Sequence, residues 1–178
     1  RDALGREWQL ATEQLDFVQP ERFGLEYAAE DGTKQRPVMI HKALLGSFER
    51  FLSVYIEHTG GRFPTWLAPE QLRIIQVKDS DEVSQFVEMI RLAADKYGIR
   101  YEVDDSNESV GKKIRSAEVM KVPYTLVIGE KEVSSKRLSP RVRKDLAVLG
   151  DVERDYAIDQ FMSSLANEIK ARASKSSL

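Results

Sequence analysis

The stretch TGGRFPTWLAP at residues 59–69 constrains this chain more than any other feature. It holds two glycines and two prolines and has no hydrophobic period, so neither a helix nor a strand can run through it. The residue patterns on its two sides differ. A domain boundary is therefore expected here, with residues 1–61 on one side and 62–178 on the other.

On the N-terminal side, residues 8–17, 24–29 and 36–41 read as three antiparallel strands, with a turn at 20–24. Asp31-Gly32 is a strong hairpin signal between the second and third. Residues 44–58 follow as a helix, with Phe48, Leu52, Tyr55 and Ile56 at helical spacing. On the C-terminal side, strands are expected at 72–77, 99–103, 123–128, 131–134 and 141–148. Helices are expected at 82–97, 109–120 and 155–172, the first stopped by Gly98. The fold class is α/β: an α+β fragment of antiparallel strands and a helix, then an α/β domain with a mixed five-stranded sheet and three helices. Residues 173–178 are expected to fray.

The chain has 178 residues and is 42% apolar, enough for a real core in each part. It has no cysteine, which excludes disulfides and cysteine-based metal or nucleophile sites within these residues. No apolar run approaches the ~20 residues that span a bilayer, and the first residues have no signal-peptide pattern. A soluble, cytoplasmic protein with no membrane partner is expected. The chain lacks an initiator Met, which suggests a piece of a longer protein. The net charge of −2 conceals an asymmetry: residues 79–108 hold nine acidic and three basic residues, whereas 112–144 hold ten basic and three acidic. The basic stretch is either a solvated face or a surface for an anionic partner.

Two residues in RPVMIHKALLGSFERF (36–51) stand out. His41 ends a strand. It is either a packed or solvent histidine or a ligand, and with only His58 as a second imidazole no closed metal site can be built. Arg50 lies between Phe48 and Phe51, costly to bury unpaired. It either snorkels to Glu49 or Glu57 or aims its guanidinium at a phosphate or a base ring. Gly46-Ser47 would let backbone and a hydroxyl approach a small ligand.

GREWQ, RPVMIHKALLGSFERF, FPTWLAPEQ, GKKIRSAE and VPYTLVIGEKEV, in this order and spacing, resemble the threonyl-tRNA synthetase family. Gly-Ser-Phe-Glu-Arg-Phe resembles motif 3 of class II aminoacyl-tRNA synthetases. The resemblance covers almost the whole chain but only the C-terminal part of such an enzyme. Motifs 1 and 2 would lie upstream, so these residues alone are not expected to aminoacylate. The resemblance implies a threonine–tRNA ligase, homodimeric, using ATP with Mg2+ and a zinc ion. It makes His41 one zinc ligand, with a Cys and a His supplied from upstream. It gives Arg50 contacts to ATP, and places Ser47, Gln9 and Thr12 around the threonine and adenylate, Gln9 with Arg50 in the catalytic set. Leu10-Ala11 departs from the family's Cys-Gly and sets an extra methyl beside a small substrate.

The second domain resembles the class II anticodon-binding domain, which gives the basic stretch an RNA partner, tRNA-Thr. Asn107, Arg115, Glu132 and Arg141 match positions that contact the anticodon, with Lys121 nearby. Splayed bases of RNA loops are read by hydrogen bonds and stacking. A stand-alone anticodon-binding module, or a purely structural piece, would have no need of motif 3 or the zinc-ligand histidine.

Overall fold

The computed structural model describes residues 1–2, 4–148 and 155–178. Contacts divide the chain into two compact units, Arg1–Gly60 and Gly61–Leu178.

The first unit contains β1 (Thr12–Asp16), α1 (Val18–Arg22), β2 (Tyr27–Ala28), β3 (Lys34–Gln35), β4 (Met39–Ala43) and α2 (Phe48–Thr59). Where three antiparallel strands were expected, the described residues form two antiparallel pairs, β1 with β4 and β2 with β3. The hairpin at Asp31-Gly32 forms as expected, its turn held by Asp31 Oδ1 accepting from Thr33 N at 2.9 Å. Of the expected turn at 20–24, residues 20–22 belong instead to helix α1, and the turn narrows to residues 23–24. Asp16 Oδ1 accepts from the backbone N–H groups of Val18 and Gln19 at 2.9 and 3.0 Å, which satisfies donors that the first helical turn leaves unpaired. Ser47 caps α2, and Gly60 ends it in the left-handed conformation (φ 58°).

The second unit contains β5 (Leu72–Gln76), α3 (Asp81–Tyr97), β6 (Tyr101–Asp104), α4 (Val110–Val119), β7 (Tyr124–Ile128), α5 (Glu130–Ser135), β8 (Arg141–Val142) and α6 (Ile158–Lys170). The sheet runs β6-β5-β7-β8, the first three parallel and β8 antiparallel to β7. Among the described residues it is mixed, as expected, but four-stranded rather than five-stranded. Residues 131–134, expected as a strand, lie in α5. The cause is local: Glu132 folds back so that its Oε2 accepts from Gly129 N at 3.0 Å and caps a helix. The strand expected over 141–148 shrinks to two residues, since the chain turns after Arg143, whose carbonyl accepts from Leu146 N at 2.9 Å.

The core follows the sequence stripes. Val83, Phe86, Val87, Ile90 and Ala94 of α3 pack with Leu72, Ile74, Leu126 and Ile128 of the sheet and with Phe161, Met162 and Leu165 of α6. Each of the Val, Leu, Ile, Phe and Met side chains contributes about 1.5–3 kcal/mol by leaving water. Residues 173–178 do not fray: Ser176 and Leu178 are buried, and Tyr124 Oη lies 2.7 Å from Glu168 Oε2 and 2.6 Å from Ser176 Oγ. No helix of the described residues is long and apolar enough to cross a membrane.

Candidate substrate and nucleic-acid sites

In the first unit, β1 and β4 set the candidate residues in register. Thr12 lies opposite Ala43, and Gln14 lies directly opposite His41. Alternation puts Thr12, Gln14 and Asp16 on one face of β1, the face that His41 shares across the pair. His41 is half-buried, with Nε2 3.0 Å from Asp16 Oδ2. Asp16 thus spends one oxygen on α1 and the other on the imidazole. The Gln19 amide first, then His41, hold its carboxyl below the usual carboxylate range. Gln14, Asp16, Gln19 and His41 line an open cleft of about 570 Å³.

The loop before α2 closes on the strand that leads into β1. Gly46 has φ 66°, and a Cβ there would stand 3.3 Å from the Leu10 carbonyl oxygen and 3.5 Å from that of Gln9. Only glycine meets both demands. Ser47 Oγ accepts from Arg50 N at 3.2 Å, so its hydroxyl serves as the helix cap. The Arg50 side chain is exposed, and its guanidinium carbon sits 5.7 Å from the centre of the Trp8 ring; that of Arg6 sits 5.5 Å away. Trp8 Nε1 donates to Asp2 Oδ2 at 2.9 Å. The structure therefore gathers Gln9 with the loop that ends at Ser47 and leads into the first turn of α2 with Arg50, and sets Thr12 and His41 on one sheet face. Trp8, Gln14 and Asp16 join them. Sequence reasoning passed over these three, although the register that pairs Gln14 with His41 makes Gln14 the nearest cross-strand neighbour.

Among the described residues no three His, Cys, Asp or Glu side chains gather to hold a metal ion. This unit fits zinc only as the supplier of one donor. An Asp16 carboxylate on one ring nitrogen is the arrangement that orients a ligating histidine through its other nitrogen.

In the second unit, the chain leaves β5 for β6 on one side of it and then crosses to β7 on the other. Clefts form outside the carboxyl ends of strands at such a switch point. One of about 580 Å³ lies there, lined among others by Gln76, Lys78, Ser106, Asn107 and Lys113. Asn107 is exposed in the loop after β6, and the half-buried Glu132 follows the carboxyl end of β7. Arg115 is exposed midway along α4. Lys121 and Arg141 stand elsewhere. Helix α4 carries the chain about 15 Å back along the sheet, so Lys121, with φ 59°, precedes β7 at the opposite end of the strands from Asn107. Arg141 pairs with Thr125 near that same end.

The basic stretch is also less of a surface than its composition implies. Lys113 is 4% exposed. Arg143, whose side chain is 10% exposed, bonds the carbonyls of Phe63 and Lys121 and pairs with Asp145 at 2.7 Å. Arg137 pairs with Asp155 at 3.0 Å.

The class follows from comparison with known proteins. Residues 71–168 match the anticodon binding domain family, and residues 1–59 match the tRNA synthetase class II core domain (G, H, P, S and T). The chain belongs to the anticodon binding domain family and carries the C-terminal part of a class II synthetase core ahead of that domain. Its relatives include the threonine–tRNA ligase of Oleidesulfovibrio alaskensis, 52% identical over 144 residues, which are 81% of this chain and 22% of that one. The threonine–tRNA ligase of Prosthecochloris aestuarii is 44% identical over 173 residues, 97% of this chain and 25% of that one. Among solved structures, the RNA binding domain of threonyl-tRNA synthetase from Cryptosporidium parvum Iowa II superposes with a TM-score of 0.79 at 33% identity, covering 99% of this chain and 42% of that one. The chain spans about a quarter of the length of the curated relatives it matches.

Proposed function

We propose that this chain is the C-terminal portion of a threonine–tRNA ligase that activates threonine with ATP and Mg2+ and transfers it to tRNA-Thr. One observation carries the reading: threonine–tRNA ligases align with 97% of the chain, across both units and both candidate sites. In the reaction, the threonine carboxylate attacks the α-phosphate of ATP, a carboxyl O–P bond forms, and pyrophosphate leaves. The 3′-terminal hydroxyl of the tRNA then attacks the acyl carbon and releases AMP. Neither step needs an enzymic nucleophile; positioning and charge neutralisation suffice.

Arg50 supplies fixed positive charge to the ATP phosphates, steadied by Trp8. Gln9, Thr12 and Ser47 flank the threonine and adenylate. His41, oriented by Asp16, contributes one donor to a zinc ion whose other protein ligands lie outside these residues. Bound zinc would select threonine over valine through the substrate hydroxyl, since an isostere lacking it leaves the metal under-coordinated. Asn107, Arg115 and Glu132 read anticodon bases. Lys121 and Arg141, at the opposite end of the strands, complete the anticodon-binding set. The whole enzyme acts as a homodimer in the cytoplasm.

The test is threonine-dependent ATP–pyrophosphate exchange by the longer protein that contains this chain. Exchange with threonine and little with valine is expected. His41→Ala should lose zinc and exchange together, whereas Arg50→Ala should lose exchange and keep zinc. A protein without threonine-dependent exchange overturns the reading.

A further inference from the structure

A lysine buried to 4% exposure must spend its charge on close partners. Lys113 does so at the switch point. Its Nζ donates to the Gln76 carbonyl at 2.9 Å and to the Asp104 carbonyl at 3.1 Å. These are the last residues of the parallel neighbours β5 and β6. Nζ also stands 3.8 Å from Asp104 Oδ1. That same oxygen accepts from Ser106 N at 3.2 Å and from Ser106 Oγ at 2.6 Å, which folds the chain into the turn that delivers Asn107. One ammonium group therefore fixes two strand ends and the carboxylate on which the turn is built.

We infer that Lys113 is the positioning residue of the nucleic-acid cleft: through Asp104 and Ser106 it presets the loop 105–108, so that Asn107 meets RNA in one prepared conformation. This rests on the RNA-reading role proposed for the cleft. Lys113 is buried, so it contributes no phosphate contact of its own. Its loss should therefore act on discrimination between bases and leave the salt dependence of binding alone. A lysine that only stabilised the fold would lower the melting temperature without changing discrimination.

The experiment uses the 178-residue chain and two RNA probes, an anticodon stem-loop of tRNA-Thr and the same stem-loop with its anticodon exchanged. Lys113→Met should bind the cognate loop about tenfold more weakly, the scale of one lost base-reading contact. The exchanged loop and the salt slope should be nearly unchanged. Amide exchange should show Ser106 losing protection. Ser106→Ala leaves the buried lysine in place and removes one link of the turn. It should reduce discrimination in the same direction by a smaller factor, and it decides the matter if Lys113→Met does not fold. Cognate preference retained in both variants overturns the proposal, as does unchanged protection at Ser106 in folded Lys113→Met. A wild-type chain that binds both loops equally overturns the RNA-reading role instead. Lost Ser106 protection in Lys113→Met would still sustain the clamp.

Discussion

The guanidinium carbon of Arg50 lies 5.7 Å from the centre of the Trp8 indole, within cation–π range. The arginine is thereby held by a ring face, which steadies its direction without neutralising its charge. An exposed cation–π contact is worth about 0.5–1 kcal/mol. In the longer protein, Trp8→Leu should therefore weaken ATP use by a factor of about two to five, read as KM for ATP in pyrophosphate exchange, with kcat less affected. Arg50→Lys, a charge without the planar fork, should cost more than Trp8→Leu.

The Trp8 ring is anchored in turn by Asp2. The indole N–H bond to Asp2, with lesser help from Arg6, lowers that carboxyl from 3.8 to about 2. A carboxyl depressed in the folded state contributes stability above its unfolded pKa and loses it as pH falls through the folded value. The contribution is thus complete above about pH 4 and fades toward pH 2. The Trp8 Nε1–H resonance should hold its position from neutral pH to about pH 3 and move with a midpoint near 2. A midpoint near 3.8 would contradict the anchor.

Glu132 has two roles that substitution can separate. Its Oε2 caps α5 through Gly129 N at 3.0 Å, and it is also proposed to read a base. Glu132→Ala should cost about 0.5–2 kcal/mol of stability with the lost cap, as well as RNA discrimination. Glu132→Gln keeps a capping oxygen, so its melting temperature should stay near wild type while discrimination falls. Equal melting loss in both variants would place the residue's importance in the charge alone.

Tyr124 ties the end of the chain to the core. Its hydroxyl meets Glu168 and Ser176, and Glu168 Oε2 accepts from Ser177 N at 2.9 Å. Glu168 Oε1 is buried without a hydrogen-bonding partner among the described residues, so the carboxylate has little to spare. Tyr124→Phe should destabilise the second unit by about 1–3 kcal/mol. Amide exchange should then rise at residues 176–178. A fraying tail would show fast exchange in the wild type as well.

The legible parts of the fold are those where local signals agree. Helix α3 has a Ser80 cap, an unbroken apolar stripe and Gly98 in the left-handed conformation at its end, so sequence and structure coincide there almost residue for residue. What was not legible rests either on a side-chain cap that lacks a Ser, Thr, Asp or Asn to announce it or on partners far along the chain. VPYTLVIGEKEV looks like two strands because nothing local signals that Glu132 will turn back onto Gly129. The tail looks polar and loose because the groups that capture it lie elsewhere: Tyr124, 52 residues from Ser176, and Glu168 on α6, which holds Ser177. In the candidate sites, residue types were readable but the ends they occupy were not: Asn107 and Lys121 are close in sequence, yet α4 carries them to opposite ends of the sheet. The basic stretch misled for the same reason. Lys113 and Arg143 are basic by composition and structural by position.

The central claim is that the second unit reads the threonine anticodon. The direct measurement is a titration of the 178-residue chain with the tRNA-Thr anticodon stem-loop and with its anticodon-exchanged counterpart at two salt concentrations. The account predicts tighter binding of the cognate loop at both salts, with both affinities falling as salt rises. Arg115→Ala should remove about 1–3 kcal/mol of the preference. Equal binding of the two loops by the unaltered chain would contradict it and leave the cleft without a base-reading role.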